Sequence, residues 1–137
     1  MATETESRGV SLTVPARADY LVLARLALSA VCRLTPLSPE DVADLKLAIT
    51  EAASEFVPEQ DAEEAERRIT FSFRLIDERL VLELDGTSAG VSDGEQELSR
   101  AIIDATVDEC DYAAGQTRLV KYLRGSEAQQ SAPSASQ

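Results

Sequence analysis

Val10, Leu12 and Val14 alternate with polar or small residues, the period-two signature of a half-buried strand, and Pro15 ends it. From about Arg17 to Arg33 the period becomes helical. Leu21, Ala24, Leu28 and Val31 form one apolar stripe, and Leu23, Leu26, Ala27 and Ala30 form a second. A helix apolar over so much of its circumference is covered on two sides. The sheet supplies one cover, and a neighbouring helix or a second protein molecule supplies the other. Ser38-Pro39-Glu40-Asp41 opens the next helix: Ser38 caps, Pro39 suits the first helical position, and the acids favour the positive end of the dipole. This helix is expected to reach about Val57, where Pro58 stops it. Val42, Leu45, Ile49, Ala52 and Phe56 make its core stripe, and Asp44, Ala48, Glu51 and Glu55 lie roughly opposite.

Glu59 to Glu66 reads as an exposed acidic connector. Ile69 to Leu75 and Leu80 to Leu84 then read as two strands, joined at Asp77-Glu78 into an antiparallel hairpin. A loop holding Gly86, Gly90 and Gly94 leads to a helix over about Glu95 to Val107, with Leu98, Ile102 and Ala105 on one side. Cys110 to Tyr112 begins another strand, Ala114-Gly115 turns the chain, and Thr117 to Leu123 is the last strand. The order predicts an α+β two-layer sandwich: one mixed, mostly antiparallel sheet with about three helices on one face. The expected domain spans residues 9–124, between a flexible N-terminus (1–8) and a disordered tail (125–137) rich in Ser, Ala and Gln. No internal repeat is visible.

Composition narrows the function. With 137 residues, 44% of them apolar, the chain can bury a sizeable core as one domain. Aromatics are only 4%, so that core must draw on Leu, Val, Ile and Ala. A net charge of −12 argues against nucleic-acid binding and against an anionic membrane surface, and it suits a basic protein partner. Cys32 and Cys110 lack metal-site spacing and read as reduced packing residues. The absence of histidine removes histidine-based catalysis, metal ligation and pH switching. The polar, acidic start is unlike a signal peptide. The apolar run Tyr20 to Cys32, broken by Arg25, is too short to span a bilayer, so the expected location is cytoplasmic.

Four segments carry a resemblance: Leu12-Thr-Val-Pro15-Ala, Asp44-Leu-Lys-Leu-Ala-Ile-Thr-Glu51-Ala, Asp108-Glu-Cys-Asp-Tyr112, and Gly115-Gln-Thr-Arg-Leu-Val-Lys121-Tyr-Leu. In this order and spacing, over about Val10 to Arg124, the chain resembles the RsbW-type anti-sigma factors and serine-protein kinases of the GHKL (histidine-kinase-like, Bergerat-like) ATPase superfamily. The resemblance implies an ATP site. A helix glutamate, matched by Glu51, would polarise the attacking hydroxyl or water. An asparagine four residues on would help hold Mg²⁺. It also implies a sigma factor and a STAS-domain anti-anti-sigma factor as partners, with a possible homodimer.

Three elements of that site depart from the pattern. Glu55 stands at the asparagine position. A carboxylate can bind Mg²⁺, but two carboxylates one turn apart repel each other and a triphosphate, and Asp44, Glu51 and Glu55 also read simply as a solvated acidic face. In the adenine motif, Leu84-Asp85-Gly86-Thr87-Ser88 puts Leu84 at the aspartate and Ser88 at the second glycine. Asp85 is one residue out of phase, so it faces the other side of the strand unless a bulge re-aims it. The lid's Gly-x-Gly becomes Glu97-Leu98-Ser99, where backbone amides need small residues to approach phosphate; Gly90 and Gly94 remain as candidates to line an altered loop. The reading is a transcription regulator that binds a sigma factor, a STAS-domain partner or both, with no cofactor and no metal. Glu51 is then a relic, and Glu55, Leu84, Asp85, Gly86, Ser88, Glu97 and Ser99 are altered pocket positions. The alternative is an ATP- and Mg-dependent serine/threonine-protein kinase acting on a STAS-domain antagonist, with Glu51 as base.

Overall fold

A five-stranded sheet in the order β1-β2-β3-β5-β4 carries three helices on one face. The computed structural model describes residues 8–58, 67–90 and 92–123. The strands are β1 (Arg8–Pro15), β2 (Arg68–Ile76), β3 (Arg79–Asp85), β4 (Glu109–Ala113) and β5 (Gln116–Tyr122). The helices are α1 (Leu21–Cys32), α2 (Pro39–Ser54) and α3 (Asp93–Thr106), with a single 3₁₀ turn, Ala18–Tyr20, leading into α1. The acidic connector, Val91, the N-terminal residues 1–7 and the expected tail lie outside the described residues.

Every strand pairing is antiparallel, so the sheet is not mixed. Hairpins link β2 to β3 and β4 to β5, and each turn needs left-handed backbone. Asp77 and Glu78 sit at φ 48° and 61°, the conformation that matches the twist of a two-residue hairpin. Gly115 sits at φ 74°, and a Cβ there would stand 3.0 Å from the Gly86 carbonyl oxygen, so only glycine fits this turn without strain.

Alternation places Ile69, Phe71 and Phe73 of β2, Leu80, Leu82 and Leu84 of β3, and Leu119 of β5 on the helix-covered face, all essentially inaccessible. Leu28 of α1, Leu45 and Ile49 of α2, and Ile103 of α3 meet them from above. Aromatic residues are few, yet Phe56, Phe71 and Phe73 are all buried, so phenylalanine contributes more to this core than composition implied.

The stripe Leu21, Ala24, Leu28 and Val31 of α1 is buried as expected. The second stripe is mostly uncovered within the chain: Leu23 is 42% and Leu26 61% exposed and Ala30 is also exposed, while Ala27 packs partly against the core. The start of α2 follows the sequence, with Ser38 Oγ accepting the Asp41 amide at 3.1 Å. Its end comes earlier than Val57. Regular helix stops at Ser54, and the Glu55 carbonyl accepts the Ala89 amide at 2.9 Å, so the β3–α3 loop finishes the helix.

The stripe assigned to α3 needs correction. Leu98 is 64% exposed and Ala105 is also exposed, whereas Ser99 and Ile103 are buried. The helix is rotated by about one residue from the hydrophobic expectation, because its inward face is set by polar partners on α2.

Candidate functional site

Ser99 and Arg100 of α3 point at the end of α2. Ser99 Oγ donates to Glu51 Oε1 at 2.8 Å. Arg100 Nε and Nη2 donate to Glu55 Oε2 and Oε1, each at 3.2 Å, a two-pronged guanidinium–carboxylate pair. The Glu55 side chain is 8% exposed and that of Arg100 36%. The guanidinium carbon also lies 3.9 Å from the ring centroid of Tyr112 on β4, placing the cation over the aromatic face. Helix α3 therefore clamps Glu51 of α2 and Glu55 at its C-cap through adjacent residues, and Tyr112 supports the clamp from the sheet side.

This arrangement overturns the solvated acidic face. Asp44 is exposed, but Glu51 is half-buried, Glu55 is buried and Ala48 is inaccessible. The physical reason is the packing of α3 along α2, which turns that side into an interface. A carboxylate buried there needs a partner, and Arg100 supplies it.

Below the clamp lies a cleft of about 460 Å³, lined by Glu55, Phe56, Ser88, Arg100, Tyr112 and Gly115 among others. Gly86 shapes its edge. The Gly86 amide donates to the Gly115 carbonyl at 3.0 Å. A Cβ on Gly86 would meet the Arg68 carbonyl at 3.1 Å and the Phe56 ring at 3.2 Å. Tyr112 Oη is buried and meets no partner in hydrogen-bond geometry among the described residues. Burial pushes this hydroxyl far above the ordinary tyrosine range, and the neighbouring Cys110 thiol adds to the shift. Cys110 itself donates to Asp104 Oδ1 at 3.1 Å; burial first, then that bond, raises its pKa.

The remaining expected pocket positions scatter. Leu84 faces the core at 0% exposure. Strand pairing continues unbroken through Asp85, opposite both Thr70 and Gln116, so no bulge re-aims it. Its exposed carboxylate accepts from Gln116 Nε2 at 3.0 Å instead. Ser88 lines the cleft, and its carbonyl accepts from Arg67 Nη1 at 3.3 Å. Glu97 is exposed on α3 and does not join the site. Gly90 has open space around it, and Gly94 lies in the first turn of α3 rather than in a phosphate-binding loop.

A magnesium nucleotide does not fit these residues. The position that would hold the metal is a buried carboxylate with both oxygens engaged by Arg100. The position that would read adenine is an apolar core residue. The segment that would wrap phosphates is regular helix, whose interior amides are bonded within the helix. Among the described residues, no group of three or more His, Cys, Asp or Glu is placed to hold a metal ion.

No family model matches the chain. It is 30% identical over 91 residues to the serine-protein kinase RsbW of Listeria innocua, covering 65% of this chain and 58% of that protein. Its fold matches a crystal structure of the RsbU and RsbW domains of a Mycobacterium tuberculosis protein, with a TM-score of 0.61 over 83% of this chain and 31% of that one. Over these spans the chain is similar to RsbW proteins. At 19% identity the crystallographic likeness carries the fold alone. Two further relatives are the serine-protein kinases RsbW of Bacillus cereus (31% identical over 83 residues, 61% of this chain, 50% of that protein) and Bacillus subtilis (26% over 102 residues, 73% and 64%). The chain thus spans less than two thirds of the length of these curated relatives.

Sequence reasoning missed Arg100 and Tyr112 as site residues. One signal was available for Arg100: it is the single basic residue in α3, next to a serine, while α2 presents two carboxylates one turn apart. Nothing in the sequence placed Tyr112 under it.

Proposed function

We propose that this chain is an anti-sigma-factor-like transcription regulator of the cytoplasm that works by protein binding, with no nucleotide in its cycle. The observation that carries the reading is the internal use of Glu55: both of its oxygens accept from Arg100 at the position where the resemblance implies a magnesium ligand. Ser99 engages one oxygen of Glu51 and leaves the other able to accept a proton, so the magnesium position decides the reading and the base does not. The family resemblance supplies the partner classes, a sigma factor and a STAS-domain anti-anti-sigma factor. The exposed second stripe of α1 supplies surface for a partner or a second copy. No helix among the described residues is long and apolar enough to cross a membrane.

The kinase reading keeps two supports: the curated relatives are named serine-protein kinases, and Glu51 matches the helix glutamate that the family resemblance implies. Two measurements separate the readings. Calorimetry with Mg-ATP is expected to give no binding heat. Reconstitution with the sigma factors and STAS-domain proteins of the source organism is expected to give a nucleotide-independent complex. Micromolar Mg-ATP binding that Glu51→Ala abolishes, or phosphate transfer to a STAS-domain serine, would overturn the proposal.

A further inference from the structure

A second groove lies away from the clamp, between the C-terminal end of α1 and the N-terminal half of α2. It has a volume of about 440 Å³. Its walls include Ser29 and Arg33 from α1 and Pro39, Val42 and Lys46 from α2. Its floor is apolar, with Cys32 buried and Val42 and Leu37 half-buried.

Two cations meet this apolar surface. Arg33 is exposed and Lys46 half-buried, and neither forms an ion pair among the described residues. The Lys46 charge reaches the floor, where it offsets part of the burial-driven rise of the Cys32 thiol. In a chain of net charge −12, two cations without an ion pair among the described residues stand on the wall of one apolar groove, beside the exposed Glu40 and Asp44. The apolar surface also continues past the groove. Leu26 lies on the same face of α1 as Ser29 and Arg33, at spacings of three and seven, and is 61% exposed. Leu34, directly after Arg33, is 64% exposed.

We infer that this groove docks an acidic amphipathic helix of a partner protein, its apolar side chains resting on Leu26, Leu34 and the groove floor and its carboxylates meeting Arg33 and Lys46. A groove between two helices, extended by exposed leucines and flanked by cations, matches the helix-in-groove mode of recognition. The net negative charge does not forbid an acidic partner. Screening removes long-range repulsion beyond a Debye length of about 8 Å at physiological salt, so the contact pairs decide. The inference concerns an acidic partner, so it stands apart from the basic surface that the net charge suits.

The test uses the full chain, labelled with nitrogen-15, and three synthetic helical peptides about four turns long. Each carries leucines at i, i+3 and i+7, flanked by glutamate, glutamine or lysine. The glutamate peptide is expected to shift the amides of Ser29 to Thr35 and Val42 to Lys46, and to bind three- to tenfold tighter than the glutamine peptide, the yield of two partly exposed ion pairs. Arg33→Glu with Lys46→Glu is expected to reverse the preference toward the lysine peptide. A folding defect cannot produce that reversal, and the circular dichroism of the variant checks its fold independently. Equal binding of all three peptides, shifts mapping elsewhere, or no shift at millimolar peptide would overturn the inference. So would the same amides shifting with protein concentration alone, which would assign the groove to a second copy.

Discussion

Removing Arg100 tests the clamp most directly. Arg100→Met keeps the length of the side chain and deletes the charge, leaving the Glu55 carboxylate, 8% exposed, without either of its 3.2 Å donors. Breaking a buried ion pair from one side costs about 3–5 kcal/mol. The guanidinium is 36% exposed, so water reaches one side of the site and the cost falls to about 2–3 kcal/mol. Glu55→Gln retains an acceptor for Arg100, which can also hydrate, and should cost about 1 kcal/mol. Because the residues touch, the double variant should be less destabilised than the sum, with a coupling of about 1–2 kcal/mol. Urea denaturation measures all four proteins. With a slope of about 1–1.5 kcal/mol per molar for a small domain, Arg100→Met should lower the midpoint by roughly 2 M. A coupling below about 0.3 kcal/mol would refute the reasoning, because it would place the pair in the class of exposed ion pairs that contribute nothing measurable.

Two glycines predict opposite outcomes. Gly115→Ala forces a Cβ into left-handed backbone 3.0 Å from the Gly86 oxygen, and thermal melting should show a loss of about 1–2 kcal/mol or more. Gly94→Ala meets nothing within 4 Å inside α3, and the same assay should show neutrality or a gain of up to about 1 kcal/mol. Cys32 makes stability fall in alkali. Burial raises its thiol from 9.0 to about 11, so the unfolded chain gives up this proton first as pH rises. The contribution is full below pH 9 and is lost between about 9 and 11; Cys32→Ala should flatten that part of a stability–pH curve.

The strands were legible because period-two alternation puts every second residue on one face, and the β2–β3 register leaves Leu80, Leu82 and Leu84 no other place. The cap of α2 was legible because Ser38 bonds the amide of Asp41, three residues away in sequence. The α3 stripe was misread because a hydrophobic rule has no place for a buried serine bonded to a carboxylate, which here outweighs the exposure of Leu98. Glu55, Leu84, Ser88, Glu97 and Ser99 were legible as departures from the pattern the resemblance implies, but the partners that Glu51 and Glu55 take, Ser99 and Arg100, were not.

Sequence alone determined the element order, the sheet's inward face and the N-terminal cap of α2, because each depends on neighbours within a turn or on strict alternation. Only the tertiary structure decided what Glu55 became. Arg100 is 45 residues away, and its approach depends on how α3 rotates against α2. That rotation is set by the balance of one buried apolar residue, Ile103, against two charge-assisted contacts, a sum over non-local partners that no local pattern encodes.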